Sequence, residues 1–283
     1  TRMKIVNGYD LLAYAKEKNL LLPAFNTTNL EMTKAIIKGL NAVHLPGMVQ
    51  ISSNNLHLSN PEVIAYMMRE FLKGTDTPVG LHLDHGKSFD DVKACVDAGF
   101  TSIMVDASHL NFEENIKEVK KTVEYCHFYH VPVEAELGAI MGKEDDDVNE
   151  ADCKTDPALV KEFVERSGCD ILAVSIGNVH GLDAVAKIDL ALLKRIAEVS
   201  PVPLVLHGGS GIPFDQVKQM RDYNMIKVNY GSDLRRAFIQ TFGEAYEKNH
   251  NEANLYGLSA KAVENVSKTA ADLVLIINGL KES

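Results

Sequence analysis

Eight short apolar runs rich in Val, Ile and Leu recur along the chain, separated by longer stretches with helical spacing, and this alternation constrains the fold more than any other feature. The runs fall at 20–25, 47–51, 79–83, 102–105, 131–135, 171–176, 203–206 and 225–228. Between them lie 29–42, 61–72, 89–98, 112–127, 157–167, 189–198 and 214–223, each with apolar residues on one helical face. Strands that are apolar throughout belong to parallel sheets covered by helices on their faces. Eight such units without a linker predict an α/β fold, a closed (β/α)8 TIM barrel in one domain over 1–283. The length suits that architecture, which runs to ~250 residues. The competing fold, an open Rossmann-like sheet, lacks its signature, because no G-x-G-x-x-G follows the first run. An extra N-terminal helix is expected near 10–18, and a C-terminal helical tail from about 234 to 280.

The chemistry sits where the runs end. The residues at those ends are Asn26, Ser52, Asp84 with His85, Asp106, Glu136, His180, His207 and Asn229. Active sites of such barrels lie at the C-terminal ends of the strands, so these side chains are expected to share one mouth. Three of them are histidines: His85 in L-H-L-D-H-G, His180 in G-N-V-H-G and His207 in L-H-G-G-S-G. Three neutral imidazoles with an open position form a catalytic zinc arrangement. Glu136 would ligate as well, or orient an imidazole. Any one histidine alone reads more readily as a hydrogen-bonded residue at a strand end; three on one rim point to a metal. His82, inside its run, reads as a core residue or one that steers a ligand.

Two glycine-rich turns follow the last two runs: His207-Gly208-Gly209-Ser210-Gly211 and Asn229-Tyr230-Gly231-Ser232-Asp233. Barrels often bind phosphate there, through backbone N–H groups and a helix N-terminus. Ser210, Ser232 and Gly181 add donors. Arg235, Arg236 and Lys261 are candidates for a second anion or simply solvated helix charges. The net charge of −10 argues against nucleic acid or an anionic membrane as partner. Four cysteines without a C-x-x-C pair fit a reducing compartment. With no apolar run of ~18 residues and no signal-peptide pattern, a cytoplasmic location is expected.

Taken together and in order, A-F-N-x-x-N-L-E, L-D-H-G, V-D-A-S-H, V-E-A-E-L-G, G-N-V-H-G, L-H-G-G-S-G and K-V-N resemble the class II ketose-bisphosphate aldolases, the fructose- and tagatose-bisphosphate enzymes. The match covers essentially the whole chain. The resemblance implies zinc-dependent, reversible retro-aldol cleavage of a phosphorylated ketose to dihydroxyacetone phosphate and glyceraldehyde 3-phosphate. It also implies a homodimer or homotetramer, with a monovalent cation (Na+ or K+) near the phosphate. On this resemblance His85, His180 and His207 are the zinc ligands, with Glu136 and Asp106 beside the metal. Asp84 accepts the proton of the carbon-4 hydroxyl, and Glu144 is the acid/base of a mobile loop. Gly181, Gly208, Gly209, Ser210, Asn229, Gly231 and Ser232 hold the carbon-1 phosphate, and Asn26 and Ser52 face substrate. Arg235 and Lys261 fall near positions that bind the distal phosphate.

The chain departs from the family pattern at Met141, where a glycine usually precedes the loop acids. It departs again at Ala184, where many fructose-bisphosphate enzymes carry a phosphate-binding lysine. Gly86 follows L-D-H where tagatose-bisphosphate enzymes often have a second histidine. The alternatives are an aldolase of the same family whose ketose 1-phosphate carries another anionic group at carbon 6, such as sulfonate, a zinc hydrolase on the same barrel, and a sugar-phosphate-binding barrel without catalysis.

Overall fold

The computed structural model describes residues 5–144, 147–149, 153–183 and 185–282, with side chains described outside 141–149. Eight parallel strands close into the expected barrel. They are β1 (Leu22–Asn26), β2 (Gly47–Ser52), β3 (Val79–Gly86), β4 (Ser102–Val105), β5 (Val133–Leu137), β6 (Ile171–Val174), β7 (Leu204–Leu206) and β8 (Met225–Tyr230), with β8 pairing back onto β1. The helices are α1 (Gly8–Glu17), α2 (Leu30–Val43), α3 (Pro61–Phe71), α4 (Phe89–Ala98), α5 (Phe112–Phe128), α6 (Pro157–Ser167), α7 (Leu190–Val199), α8 (Phe214–Met220), α9 (Ser232–Lys248) and α10 (Leu255–Ile277). Among the described residues, no helix is long and apolar enough to cross a membrane.

The run boundaries shift for local reasons. β5 and β7 begin just after Pro132 and Pro203, because a proline has no N–H to give the ladder. The expected helical tail consists of two helices, α9 and α10, broken over 249–254, and the Asn254 side chain starts the second by accepting from Gly257 N. Most other helices also start on a side-chain cap. Asn29, Ser88, Asn111 and Asp156 accept from backbone N–H groups of Met32, Asp91, Glu114 and Ala158. Each cap contributes about 1 kcal/mol and fixes where the chain leaves the mouth.

Two apolar layers result. The larger lies between sheet and helices, with Phe25, Ile36, Leu40, Leu83, Phe163 and Val174 fully buried. The smaller fills the N-terminal end of the barrel, where Leu22, Met48, Ile171 and Val205 meet Leu11, Leu12 and Ala15 of α1. Helix α1 is thus a plug, tied in by Val6 N to Val79 O and Gly8 N to Thr101 O, both 3.0 Å. Above this floor the interior positions turn polar, with Gln50, His82, Glu134 and Lys227 all fully buried. The mouth lies above them.

Candidate metal centre and anion cleft

The centre begins with an irregularity in β3. Leu83 pairs with Ile103 of β4, but Gly86 pairs with Val105, so β3 carries one residue more than its neighbour over this stretch. His85 holds the left-handed φ of 45° that accommodates it. In an unbroken strand, Asp84 and His85 would face opposite sides of the sheet. The bulge re-aims the chain, and Asp84 Oδ1 lies 3.9 Å from His85 Nε2.

Three imidazoles meet at this mouth. One ring nitrogen from each of His85, His180 and His207 lies within 4.8 Å of the other two, the one group among the described residues able to hold a metal. Their outer nitrogens explain their aim. His85 Nδ1 donates to Asp106 Oδ2 at 2.6 Å, and His207 Nε2 to Glu134 Oε1 at 2.7 Å. Ionised carboxylates only accept, so each ring is held with its lone pair on the opposite nitrogen. Those two nitrogens, His85 Nε2 and His207 Nδ1, face each other at 3.1 Å. Two lone pairs so close repel unless a positive charge, proton or metal ion, lies between them. Zinc–nitrogen bonds of ~2.0–2.1 Å at tetrahedral angles put ligand nitrogens roughly 3.3 Å apart, so the spacing suits a metal. Two buried carboxylate oxygens beside the triad, Asp84 Oδ1 and Glu136 Oε2, have no hydrogen-bond partner among the described residues. An excess of buried acceptors of this kind is what a bound cation satisfies. The residues present fit a divalent metal.

The surrounding charges follow from burial and pairing. Burial and the Asp106 charge push Glu136 up to about 7. Burial alone would raise Asp106, but the hydrogen bond and charge of His85, with two hydrogen bonds from Ser108, hold it well below the usual carboxylate range. Burial would likewise raise Glu134, yet the Lys227 charge and the His207 hydrogen bond keep it low. His82 is pushed down by burial and by Lys227. Asp84 is fully buried, and Asn26 Nδ2 donates to its Oδ2 at 2.9 Å. Gln50 Nε2 in turn donates to Asn26 Oδ1 at 2.9 Å, which sets the orientation of the Asn26 amide.

A narrow cleft adjoins the triad, lined by Asn26, His180, Gly181, Gly208, Ser210, Asn229, Gly231, Ser232 and Arg235. The residues read from the sequence as holding the carbon-1 phosphate, Gly209 apart, therefore share one cleft with Arg235. Gly209 ties its turn to the end of β8 by donating from N to Asn229 O at 2.9 Å. The Ser210 hydroxyl donates to Asp233 Oδ2 at 2.7 Å, so it braces the two glycine turns against each other. Beyond Arg235 the cleft opens into a wider pocket, where Arg236 and Asp183 stand beside Met32, Leu182, Phe238 and Ile239 and polar Asn29 and Asn55. Gly208 has φ +65°, and a Cβ there would sit 1.9 Å from Val179 O. Gly208→Ala is therefore expected to destabilise the fold by about 3 kcal/mol in denaturant titration. An unchanged midpoint would mean that the turn is free to open.

Other expected residues fall outside this group. Ser52 accepts from Asn55 Nδ2 at 3.0 Å and braces the turn after β2. Lys261 is exposed on α10 and lines neither the cleft nor the wider pocket. The stretch read as a polar loop has strand backbone: Met141–Glu144 runs antiparallel to Asp147–Asn149 and parallel to Val179–His180, with Gly142 opposite His180. The Glu144 side chain and Ala184 lie outside what is described. Glu134 and Lys227 were missed as site residues. Their signal was a charge inside an apolar run, at a position where a buried charge needs a partner.

A family model described as class-II fructose-bisphosphate aldolase matches residues 6–278. Among solved structures, the YdjI aldolase from Escherichia coli K12 is 29% identical, with 96% of this chain and 97% of that one covered and a TM-score of 0.83. A putative fructose-1,6-bisphosphate aldolase from Coccidioides immitis is 26% identical, covers 98% and 97%, and has a TM-score of 0.85. The Campylobacter jejuni fructose-bisphosphate aldolase, at 22% identity, 97% and 96% coverage and a TM-score of 0.80, shares the fold.

Proposed function

The chain belongs to the class-II fructose-bisphosphate aldolase family, and from that premise we propose that it cleaves a ketose 1,6-bisphosphate, of the fructose or tagatose type, by a reversible zinc-dependent retro-aldol reaction. The observation that carries this reading is the pair of imidazole nitrogens facing each other at 3.1 Å, each backed by a carboxylate, beside buried Asp84. His85, His180 and His207 would hold the ion, which when bound polarises the substrate carbonyl and serves as the electron sink. Asp84, steered by Asn26, takes the proton of the carbon-4 hydroxyl as the bond between carbons 3 and 4 breaks and the aldehyde departs. Glu144 returns a proton to carbon 3, giving dihydroxyacetone phosphate. The cleft formed by the two glycine turns would hold the carbon-1 phosphate against backbone N–H groups and the N-terminus of α9.

In this reading the chain acts as one domain, assembles as a homodimer or homotetramer, and works in the cytoplasm, with a sodium or potassium ion near the phosphate. A second substrate is supported by the wider pocket, where Arg235 and Arg236 stand among apolar and polar side chains with one acid, Asp183: a ketose 1-phosphate with another anion, such as sulfonate, at carbon 6.

The test is direct. Fructose and tagatose bisphosphates are incubated with the protein, and dihydroxyacetone phosphate is followed with a coupled dehydrogenase. Product should form, disappear after chelation, and return on adding zinc. Zinc-loaded protein that releases no product from any ketose phosphate would sink the proposal.

A further inference from the structure

Lys227 is fully buried on β8, inside the barrel and below the mouth. Its ammonium makes two hydrogen bonds in different directions: to Glu134 Oε2 at 2.8 Å and to Asn229 Oδ1 at 2.8 Å. Glu134 uses its other oxygen to accept from His207 Nε2. That bond keeps the lone pair of His207 on Nδ1, the nitrogen facing His85. Asn229 lines the cleft. Its Nδ2 is buried and has no hydrogen-bond partner among the described residues.

An ammonium group donates and never accepts, so it holds a neighbouring amide by its oxygen alone. One cation therefore orients two acceptors, one serving the imidazole triad and the other the anion cleft. We propose that Lys227 is a positioning residue that couples the two halves of the site. Through Glu134 it fixes the metal-facing nitrogen of His207. Through Asn229 it leaves an amide N–H group to meet the phosphorylated substrate. A lysine that merely balanced a buried glutamate would need only the first bond; the second goes to Asn229, which has no hydrogen bond to Glu134 among the described residues.

The inference rests on the aldolase reading for the identity of the substrate but not for the metal half. The test uses metal-stripped full-length protein and two variants, Lys227→Met and the charge-balanced double variant Glu134→Gln with Lys227→Met. Zinc affinity is read by competition with a chromogenic chelator, and binding of dihydroxyacetone phosphate to the zinc-loaded protein by calorimetry. Lys227→Met is expected to weaken zinc by ~10–100-fold, the usual effect of losing support behind a metal-binding histidine. It should also weaken dihydroxyacetone phosphate by roughly 3–10-fold, the worth of one misdirected hydrogen bond. The double variant should recover most zinc affinity, because the carbonyl of the introduced glutamine can still accept from His207, while remaining weak for dihydroxyacetone phosphate.

Wild-type affinities for both ligands in Lys227→Met would overturn the proposal. So would joint recovery of both in the double variant, which would reduce Lys227 to a charge balance. If Lys227→Met does not fold, the double variant, free of the unpaired buried charge, decides alone. Wild-type protein that binds zinc but not dihydroxyacetone phosphate would overturn the substrate reading instead, and the zinc arm would still judge the His207 half.

Discussion

Asp84→Ala is expected to lower turnover by about 10²–10⁴-fold, the range for removing a general acid–base group, while zinc stays bound, its affinity lowered far less than by the loss of an imidazole. The separation follows from geometry. Asp84 Oδ1 stands 3.9 Å from His85 Nε2, near enough to act on a substrate bound at the triad, but no hydrogen bond to an imidazole depends on it. The bonds that orient His85 and His207 come from Asp106 and Glu134. Among the described residues the one side-chain donor to Asp84 is Asn26, which loses an acceptor when the carboxylate is removed and keeps its bond from Gln50. Asp84→Asn retains the shape and an oxygen able to accept from Asn26, and should show nearly the same loss of turnover with less effect on stability. Steady-state kinetics beside a zinc titration reads both effects. Turnover unchanged in either variant would assign the proton transfer to another group.

His207→Ala is expected to abolish turnover and metal binding together. The zinc affinity should fall by more than the ~10–100-fold seen on losing an outer hydrogen-bond partner of a metal ligand. His207 is fully buried, and both of its ring nitrogens are committed, one to Glu134 and one toward His85. Its removal deletes one lone pair from the triad and frees Glu134 Oε1. The glutamate keeps its bond from Lys227, so the buried carboxylate stays paired and the variant should fold. Atomic absorption after gel filtration measures the bound metal, and circular dichroism checks the fold. A folded variant that retained stoichiometric zinc would remove His207 from the ligand set.

Much of this could be read from the chain, and the exceptions have physical reasons. Strands buried on both faces must be apolar, so the barrel strands stood out, and the histidines stood out because each follows such a run. Pro132 and Pro203 moved two starts by the loss of one donor each. Glu134 and Lys227 were harder to see. They lie 93 residues apart, and each looks like an isolated charge within a strand until the barrel brings them to 2.8 Å. The break between α9 and α10 falls in the polar stretch 249–254, inside a tail whose helical spacing alone does not say how many helices it holds. The bulge in β3 was not legible at all, because counting an extra residue requires knowing which residue lies opposite.

That bulge bears on transplantation of the site. A protein engineer copying Asp84 and His85 onto a straight strand of another barrel would send one of them into the helical layer, whatever the quality of the surrounding pocket. The portable unit is the segment from Leu83 to Gly86 together with the matching stretch of β4, including the left-handed backbone at His85. Deleting one residue from this segment should likewise part the proton acceptor from the imidazole with every side chain of the mouth still encoded. In this barrel the adjacency of those two groups belongs to the backbone path before it belongs to their chemistry.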